Sequence, residues 1–195
     1  QRILKANFEN TGIALLETGM GWWWPDWRVK KRVSVEGAEY FHQAKKNGHG
    51  ILVLSLHNLS LEMCARGMGV HNCQMVSFYR PNNNALFEYF QYRGRNRSNR
   101  YMLNKSDVRG LLKALKSGEA CYYLPDQDYN RANSAFVPFF GVMAAATKGT
   151  LTFAKQKNTV VMMMVPSRNK DNHYTVSFSP LWQNFPTGDE QADLP

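Results

Sequence analysis

Short apolar runs alternate along this chain with stretches in which apolar residues recur at helical spacing. The aliphatic run at 51–56 is typical of a strand that is buried on both faces. Further strands are predicted at 33–37, 74–79, 120–124, 159–165 and 174–178. One of these strands contains Met162, Met163 and Met164, which are predicted to be core residues.

Helices are predicted between these strands. Asp107 can cap a helix that Gly118 ends. Gly48 can close another helix over 38–47. The remaining helices are predicted at 2–20, after Ser60, at 84–91 and at 147–156. Because strands and helices alternate, we expect an α/β fold with a mostly parallel central sheet flanked by helices.

The length and composition are those of one globular domain. With 195 residues, of which 44% are hydrophobic, the chain can bury one sizeable core. It contains no run of the roughly 18 apolar residues that a membrane-spanning helix needs. Cys64, Cys73 and Cys121 show neither paired nor metal-binding spacing. We therefore expect a reducing environment, no disulfide framework and no metal site.

The net charge of +9 at pH 7 indicates an anionic partner. Nucleic acid, an anionic lipid surface, a phosphorylated glycolipid and an acidic carrier protein all fit this charge. Trp22, Trp23 and Trp24 precede a basic segment at 28–32. These indoles could pack on the core at a helix end or anchor the chain among lipid headgroups, and the sequence leaves both interpretations open.

One histidine lies where the predicted strand 51–56 ends. His57 is followed five residues later by Glu62. Residues five apart on one helix point away from each other, so these two can meet only if the chain turns between them. A strand-to-helix corner would place His57 at the carboxyl end of a strand, where α/β sheets form ligand crevices. We therefore predict that Glu62 hydrogen-bonds one ring nitrogen and leaves the other as a base.

Four segments in a fixed order carry a family resemblance. The first, at 57–67, contains a His-x4-Glu motif, and the second, at 78–84, contains Tyr-Arg-Pro. The third is the arginine-rich segment 92–99, and the fourth, at 124–129, contains Pro-Asp-Gln-Asp. Together they resemble the late acyltransferases of lipid A biosynthesis over about 33–166. Within the lysophospholipid acyltransferase superfamily, the similarity is to the branch that adds a lauroyl or palmitoleoyl chain to Kdo2-lipid IVA.

The resemblance implies transfer of a fatty acyl chain from acyl carrier protein to a hydroxyl of a phosphorylated lipid A precursor. His57 would be the general base, oriented by Glu62, because an imidazole titrates near the working pH. The resemblance also implies a single acyltransferase domain over 1–195, with a hydrophobic anchor and carboxyl-terminal helices outside this sequence. Its expected place is the cytoplasmic face of the inner membrane, and no cofactor beyond the acyl donor is expected.

Arginines are predicted to bind the anionic acceptor. Four of them lie within eight residues without an acid between them: Arg93, Arg95, Arg97 and Arg100. A guanidinium presents a rigid donor fork that suits phosphate and carboxylate. We assign Arg95, Arg97 and also Arg80, which follows a predicted strand, to substrate binding. A solvated basic face is the other interpretation of the cluster.

The Pro-Asp-Gln-Asp segment departs from the Glu-Gly-Thr phosphate-binding motif that glycerolipid relatives carry at the same point in the order. Two acids cannot bind phosphate directly. Asp126 and Asp128 are therefore predicted substrate-site residues that position Arg97 or Arg131, or accept hydrogen bonds from acceptor hydroxyls, and Arg131 is assigned to the same site. The apolar segment 133–140 could line the acyl slot or belong to the core.

Two other functions compete with this interpretation. A lysophospholipid or glycerophosphate acyltransferase is disfavoured because the Glu-Gly-Thr motif is absent. A non-catalytic nucleic-acid-binding module would use the interleaved aromatic and arginine residues of 92–101. That function would leave the His57 corner and the paired aspartates without a purpose, so we expect no nucleic-acid partner.

Overall fold

The computed structural model describes residues 1–127 and 134–193, except for the side chains of residues 190 and 191. The helices in these residues are α1 (Arg2–Trp23), α2 (Asp26–Lys30), α3 (Ala38–Lys46), α4 (Leu61–Val70), α5 (Ala85–Asn96), α6 (Val108–Lys116), α7 (Gly149–Ala154) and α8 (Glu190–Asp193). The strands are β1 (Val33–Glu36), β2 (Gly50–Leu54), β3 (Val76–Tyr79), β4 (Tyr101–Asn104), β5 (Ala120–Tyr123), β6 (Ser134–Phe139), β7 (Val142–Thr147), β8 (Thr159–Arg168) and β9 (Tyr174–Phe178).

The central sheet has seven strands in the order β1-β9-β8-β2-β5-β3-β4. All neighbouring strands are parallel except β8 and β9, which are antiparallel. The predicted α/β fold with a mostly parallel sheet is therefore confirmed. Because the chain reverses between β8 and β9, the carboxyl ends of β8, β2, β5, β3 and β4 share one edge. We call this the site edge.

Side chains of the central strand β2 alternate between two hydrophobic layers, because successive side chains on a strand point to opposite faces. Ile51 and Val53 join the layer formed with α3 and α4. Leu52 and Leu54 join the layer formed with α6 and α7. Coverage of both faces explains why this strand is a continuous aliphatic run. On β8, where the prediction placed three core methionines, Met162 and Met164 are buried and Met163 is 38% exposed.

The sequence pattern does not predict α2, β4 or the hairpin of β6 and β7. The hairpin forms its own two-stranded sheet, apart from the central one. Its aromatic side chains are exposed, with Phe136 at 73%, Phe139 at 62% and Phe140 at 94%. The interpretation of this apolar segment as core is therefore wrong. Continuous hydrophobicity resembles a buried strand in the sequence even where no second layer covers it.

The first helix is tied to the sheet by a buried carboxylate. Glu17 on α1 is 1% exposed and accepts hydrogen bonds from Arg168 Nη1 at 2.7 Å and from the Tyr174 hydroxyl at 2.8 Å. These residues lie at the end of β8 and the start of β9, so α1 is fixed across the sheet. Among the described residues, no helix combines the length and apolar character that a bilayer crossing requires.

Candidate functional site

Strand register brings His57 and Asp126 together at the site edge. Strands β2 and β5 are parallel, with Leu54 opposite Tyr123. The pairing continues one residue further, since the backbone N–H of Ser55 donates to the Tyr123 carbonyl at 3.0 Å. His57 and Asp126 each lie three residues beyond the last paired positions. The prediction that the strand 120–124 delivers Asp126 to the same edge as His57 is confirmed.

Asp126 holds His57 by two hydrogen bonds. Its Oδ2 accepts from the His57 backbone N–H at 2.8 Å, and its Oδ1 lies 2.6 Å from the ring Nδ1. An ionised carboxylate only accepts, so Nδ1 carries the proton and Nε2 presents its lone pair. The His57 side chain is 38% exposed and that of Asp126 is 34% exposed, so a substrate can reach the ring.

The carboxylate of Asp126 is stabilised in its ionised form. Partial burial raises the pKa of this group. The hydrogen bonds from the His57 backbone and ring, together with the charge of the ring, lower the pKa by more than burial raises it. The net pKa lies below that of an ordinary aspartate. Asp126 therefore stays negative across the neutral range and can stabilise an imidazolium at His57.

The predicted contact between His57 and Glu62 is wrong. Glu62 lies in the first turn of α4. Its Oε2 accepts from the Trp22 indole N–H at 2.7 Å, and its Oε1 accepts from Arg95 Nε at 2.9 Å and Nη2 at 2.5 Å. The chain does turn between His57 and Glu62, as predicted, but the turn directs Glu62 toward α1 and α5. A guanidinium fork and an indole donor compete better for this carboxylate than an imidazole that Asp126 already holds.

Close packing of three helices makes these contacts possible. A Cβ at Gly21 on α1 would lie 2.8 Å from the backbone oxygen of Glu62. A Cβ at Gly94 on α5 would overlap the ring of Trp22. Any other residue at either position would push the helices apart, so the two glycines let the buried Trp22 reach Glu62. The interpretation of this indole as packed at a helix end is supported, whereas Trp23 is 45% exposed.

Arg80 and Arg95 line one open pocket at the site edge. The pocket has a volume of about 310 Å³, and its remaining lining residues are Pro81, Asn82, Asn83 and Gln91. Arg80 is exposed, and Arg95 is held by Glu62 on one side. Two guanidiniums and three amide side chains make this pocket a polar, cationic site. It can hold an oxyanion such as a phosphate.

Arg97 does not share this pocket. Its guanidinium donates to the backbone oxygens of Trp22 at 2.6 Å and Trp24 at 3.1 Å, and contacts Asp26 at 3.4 Å. We therefore correct the assignment of Arg97 to substrate binding, because its donors are occupied by the end of α1. The prediction that Asp126 positions Arg97 is also wrong, since Asp126 binds His57.

The rest of the arginine cluster is dispersed. Arg93 donates to the Tyr89 hydroxyl at 2.5 Å, and Arg100 lies 3.7 Å from Glu119. Of the four clustered arginines only Arg95 lines the pocket, so the cluster is neither one anion site nor one continuous basic face. Arg93 and Arg95 are two apart on α5 and therefore point in different directions, and Arg97 and Arg100 lie beyond the end of this helix.

Asp128 and Arg131 lie outside the residues that the structure describes, and their assignment to substrate binding stays a prediction. Within the described residues, no group of three potential metal ligands occurs. Cys64, an alternative nucleophile near His57, is fully buried, and burial followed by the charge of Glu17 raises its pKa to about 12. A thiol in that state is a poor nucleophile.

Sequence reasoning missed two roles. The sequence identifies Asp126 as a site residue but not as the partner of His57, because the equal spacing of the two residues becomes visible only with the observed register of Leu54 opposite Tyr123. For Trp22 the sequence predicts only packing on the core or anchoring in a membrane. No sequence signal gives its hydrogen bond to Glu62, since that contact depends on how α1 crosses α4.

The chain is similar to known proteins of one family over nearly its whole length. The family model of the bacterial lipid A biosynthesis acyltransferases matches residues 1–193. The chain is 40% identical to the lipid A biosynthesis palmitoleoyltransferase of Escherichia coli over 98% of its length, and 41% identical to the lauroyltransferase of the same organism over 88%. It is 44% identical to a lipid A biosynthesis acyltransferase of Haemophilus influenzae over 91%.

The chain therefore belongs to the bacterial lipid A biosynthesis acyltransferase family. It spans 63% of the length of the palmitoleoyltransferase, 57% of the Haemophilus protein and 56% of the lauroyltransferase. The resemblance on which the sequence interpretation depends is confirmed at the level of the family.

Proposed function

We propose that this chain transfers a fatty acyl group from the thioester of acyl carrier protein to a hydroxyl of a phosphorylated lipid A precursor. The observation that carries the proposal is the pair of hydrogen bonds between His57 and Asp126 at the site edge. The same edge holds the cationic pocket of Arg80 and Arg95. Membership of the lipid A acyltransferase family supports the same reaction.

In this mechanism, Nε2 of His57 removes the proton of the acceptor hydroxyl as its oxygen bonds to the thioester carbonyl carbon. Asp126 keeps the ring in the tautomer that exposes Nε2 and stabilises the imidazolium that forms. The carbon–sulfur bond then breaks, and the imidazolium returns the proton to the departing thiolate. No acyl-enzyme is needed, so the buried Cys64 has no part in the reaction.

The pocket of Arg80 and Arg95 binds the phosphate of the acceptor. Glu62 neutralises Arg95 in part and fixes the direction of its guanidinium through two hydrogen bonds. Arg80 is the more exposed guanidinium of the pocket and supplies the remaining positive charge. Glu62 therefore acts as a positioning residue for the acceptor site, and His57 and Asp126 carry the proton transfer.

The proposed partners are acyl carrier protein and a membrane surface. Acyl carrier protein has an acidic surface, and a net charge of +9 favours its association. The acceptor is a lipid, so the enzyme works at a membrane surface, and the cytoplasmic face of the inner membrane is the proposed place. We propose no metal and no cofactor beyond the acyl donor.

The test compares His57→Ala with His49→Ala, whose native ring contacts Asn158 at the opposite edge of the sheet. Each purified chain is incubated with labelled acyl carrier protein and the lipid A precursor, and its fold is checked by circular dichroism. We expect His57→Ala to lose about 10²- to 10⁴-fold in rate and His49→Ala to match the unmodified chain. A folded His57→Ala chain that keeps more than about a tenth of the rate contradicts base catalysis.

A second set of reactions tests the acceptor. Lysophosphatidic acid and glycerol 3-phosphate replace the lipid A precursor under the same conditions. We expect acyl transfer to the lipid A precursor alone. Faster transfer to either glycerophosphate would support the glycerolipid alternative and overturn the proposed acceptor.

A further inference from the structure

The hairpin of β6 and β7 presents an apolar surface that nothing in the described structure covers. Residues 135–146 contain no charged or polar side chain. Phe140 at the turn is 94% exposed, and the flanking Phe139 and Val142 are 62% and 71% exposed. Each strand has six residues, so the hairpin can reach about 20 Å from its base.

The turn itself holds an aromatic residue where the backbone disfavours one. Phe139 pairs with Val142, so Phe140 and Gly141 form a two-residue turn. Their φ angles are 48° and 81°, which is the left-handed region that such hairpin turns require. Asparagine or glycine normally occupies the first of these positions, and a bulky side chain there is strained. Because the backbone of Phe140 is strained and its side chain is exposed, this residue contributes little to the stability of the fold, which points to a role outside it.

The base of the hairpin lies at the site edge. A Cβ at Gly149, two residues after β7 ends, would lie 2.5 Å from the hydroxyl of Tyr123. Tyr123 ends β5, the strand that leads into Asp126. The apolar hairpin therefore rises from the same edge that carries His57 and Asp126.

We propose that the tip of this hairpin, formed by Phe139, Phe140 and Val142, inserts into the lipid bilayer and brings the site edge to the membrane surface. The inference rests on the proposed function, because a lipid acceptor places this edge at a bilayer. The net charge of +9 favours an anionic leaflet and so supports a membrane as the occupant.

Insertion has to be shallow. A two-stranded sheet has two open edges, and its unpaired backbone groups cannot enter the hydrocarbon core without large cost. Aromatic rings are favoured in the interfacial layer, where the tip can be buried while the edges stay hydrated. We therefore expect the ring of Phe140 at the level of the first acyl carbons and not at the bilayer centre.

The experiment attaches an environment-sensitive fluorophore to Phe140→Cys in the full chain. The three native thiols are buried and react poorly, so labelling is specific. Lys116→Cys at the opposite edge is the matched control. The vesicles contain equal parts of phosphatidylglycerol and phosphatidylcholine, with nitroxide quenchers either near the headgroup or near the chain end. We expect a blue shift and stronger quenching by the shallow nitroxide at position 140, and neither effect at position 116.

Unlabelled variants test the ring itself. Phe140→Asn removes the apolar group but suits the left-handed turn, so the fold should be kept and vesicle affinity should fall by about tenfold or more. Phe140→Leu should keep affinity within a few fold, since it keeps an apolar side chain. Unchanged affinity of Phe140→Asn, or no blue shift at position 140, overturns the proposal.

Self-association is the remaining outcome. If the fluorescence at position 140 changes with protein concentration in the absence of vesicles, and vesicles add nothing, the hairpin pairs with a second copy and the proposal is wrong. None of these measurements uses acyl transfer. Failure of insertion therefore leaves the proposed reaction untouched, and an inactive chain that still inserts refutes only the reaction.

Discussion

Asp126 accepts hydrogen bonds from both the backbone N–H and the ring Nδ1 of His57. Two bonds between the same pair of residues fix the distance between their strands' ends and also the direction of the ring. The nearer acid in sequence, Glu62, is used by Trp22 and Arg95 instead. The proposed catalytic pair and the proposed acceptor pocket therefore have separate carboxylates, and substitution of Asp126 and of Glu62 should have separate effects.

Asp126→Asn should reduce the rate of acyl transfer by about 10²- to 10⁴-fold, because a neutral amide neither fixes the tautomer nor stabilises an imidazolium. The amide keeps the size of the side chain, so the fold should be kept. Asp171→Asn is the control, since this exposed aspartate lies in the turn between β8 and β9. The measurement is kcat for each folded variant. Equal kcat values for the two variants would remove Asp126 from the reaction.

Glu62→Gln should act on stability and on acceptor binding more than on kcat. The amide keeps one accepting oxygen and puts an –NH2 donor in place of the other, so either the Trp22 indole N–H or the Arg95 guanidinium loses its acceptor. Because the Glu62 and Arg95 side chains are 16% and 31% exposed, solvent screens part of the interaction. We expect the free energy of unfolding to fall by about 1–2 kcal/mol and KM for the acceptor to rise. Urea unfolding and initial rates measure the two effects, and a loss in kcat as large as that of Asp126→Asn would assign the proton-transfer role to Glu62.

Substitution of Arg80 and of Arg97 should have different effects on acceptor binding and on stability, although the sequence assigns both residues to substrate binding. Arg80→Ala should raise KM for the phosphorylated acceptor by about tenfold and leave the melting temperature unchanged, because the guanidinium is exposed in the pocket. Arg97→Ala should lower the free energy of unfolding by about 2 kcal/mol, because it removes the bonds to Trp22 and Trp24. Thermal melts and acceptor titrations on both variants give the comparison. Reversed effects would show that Arg97 binds substrate.

The three cysteines should resist alkylation in the folded chain. Burial raises the pKa of Cys73 to about 11 and those of Cys64 and Cys121 to about 12. A raised pKa means less thiolate, so at about pH 8 no more than about a thousandth of each thiol is reactive. Labelling should therefore be slow in buffer, faster as the pH rises toward these values, and complete in denaturant. Mass spectrometry after a short exposure measures it, and rapid labelling of any one cysteine at about pH 8 would contradict its burial.

Hydrophobic patterning predicts the central sheet because its strands are covered on both faces. Strand β2 is a plain case, since its alternate side chains enter two different layers and all of them are apolar. The hairpin of β6 and β7 has a similar apolar sequence, and no layer formed by the described residues covers it. The sequence pattern shows that a segment is hydrophobic but not whether other elements cover it. A buried strand such as β2 and an exposed hairpin such as β6–β7 therefore cannot be distinguished without the structure.

The candidate site could be predicted as a set of residues but not as a set of contacts. His57, Glu62, Arg95 and Asp126 all lie at the site edge. Strand register pairs His57 with Asp126, because the parallel strands β2 and β5 end in register, with Leu54 opposite Tyr123. The partner of Glu62 depends on how closely α1 and α5 approach α4, which Gly21 and Gly94 permit. The close packing of these helices cannot be predicted from the sequence spacing of His57 and Glu62.

The protonation state of the two ring nitrogens of His57 tests most directly whether Asp126 is the hydrogen-bond partner of this imidazole. Nitrogen NMR of the ¹⁵N-histidine-labelled chain distinguishes a protonated Nδ1 from a protonated Nε2. We expect the proton on Nδ1, with the His57 signals changed by Asp126→Asn and unchanged by Glu62→Gln. A proton on Nε2, or signals that respond to Glu62→Gln and not to Asp126→Asn, would contradict the assignment of Asp126 as the partner of His57.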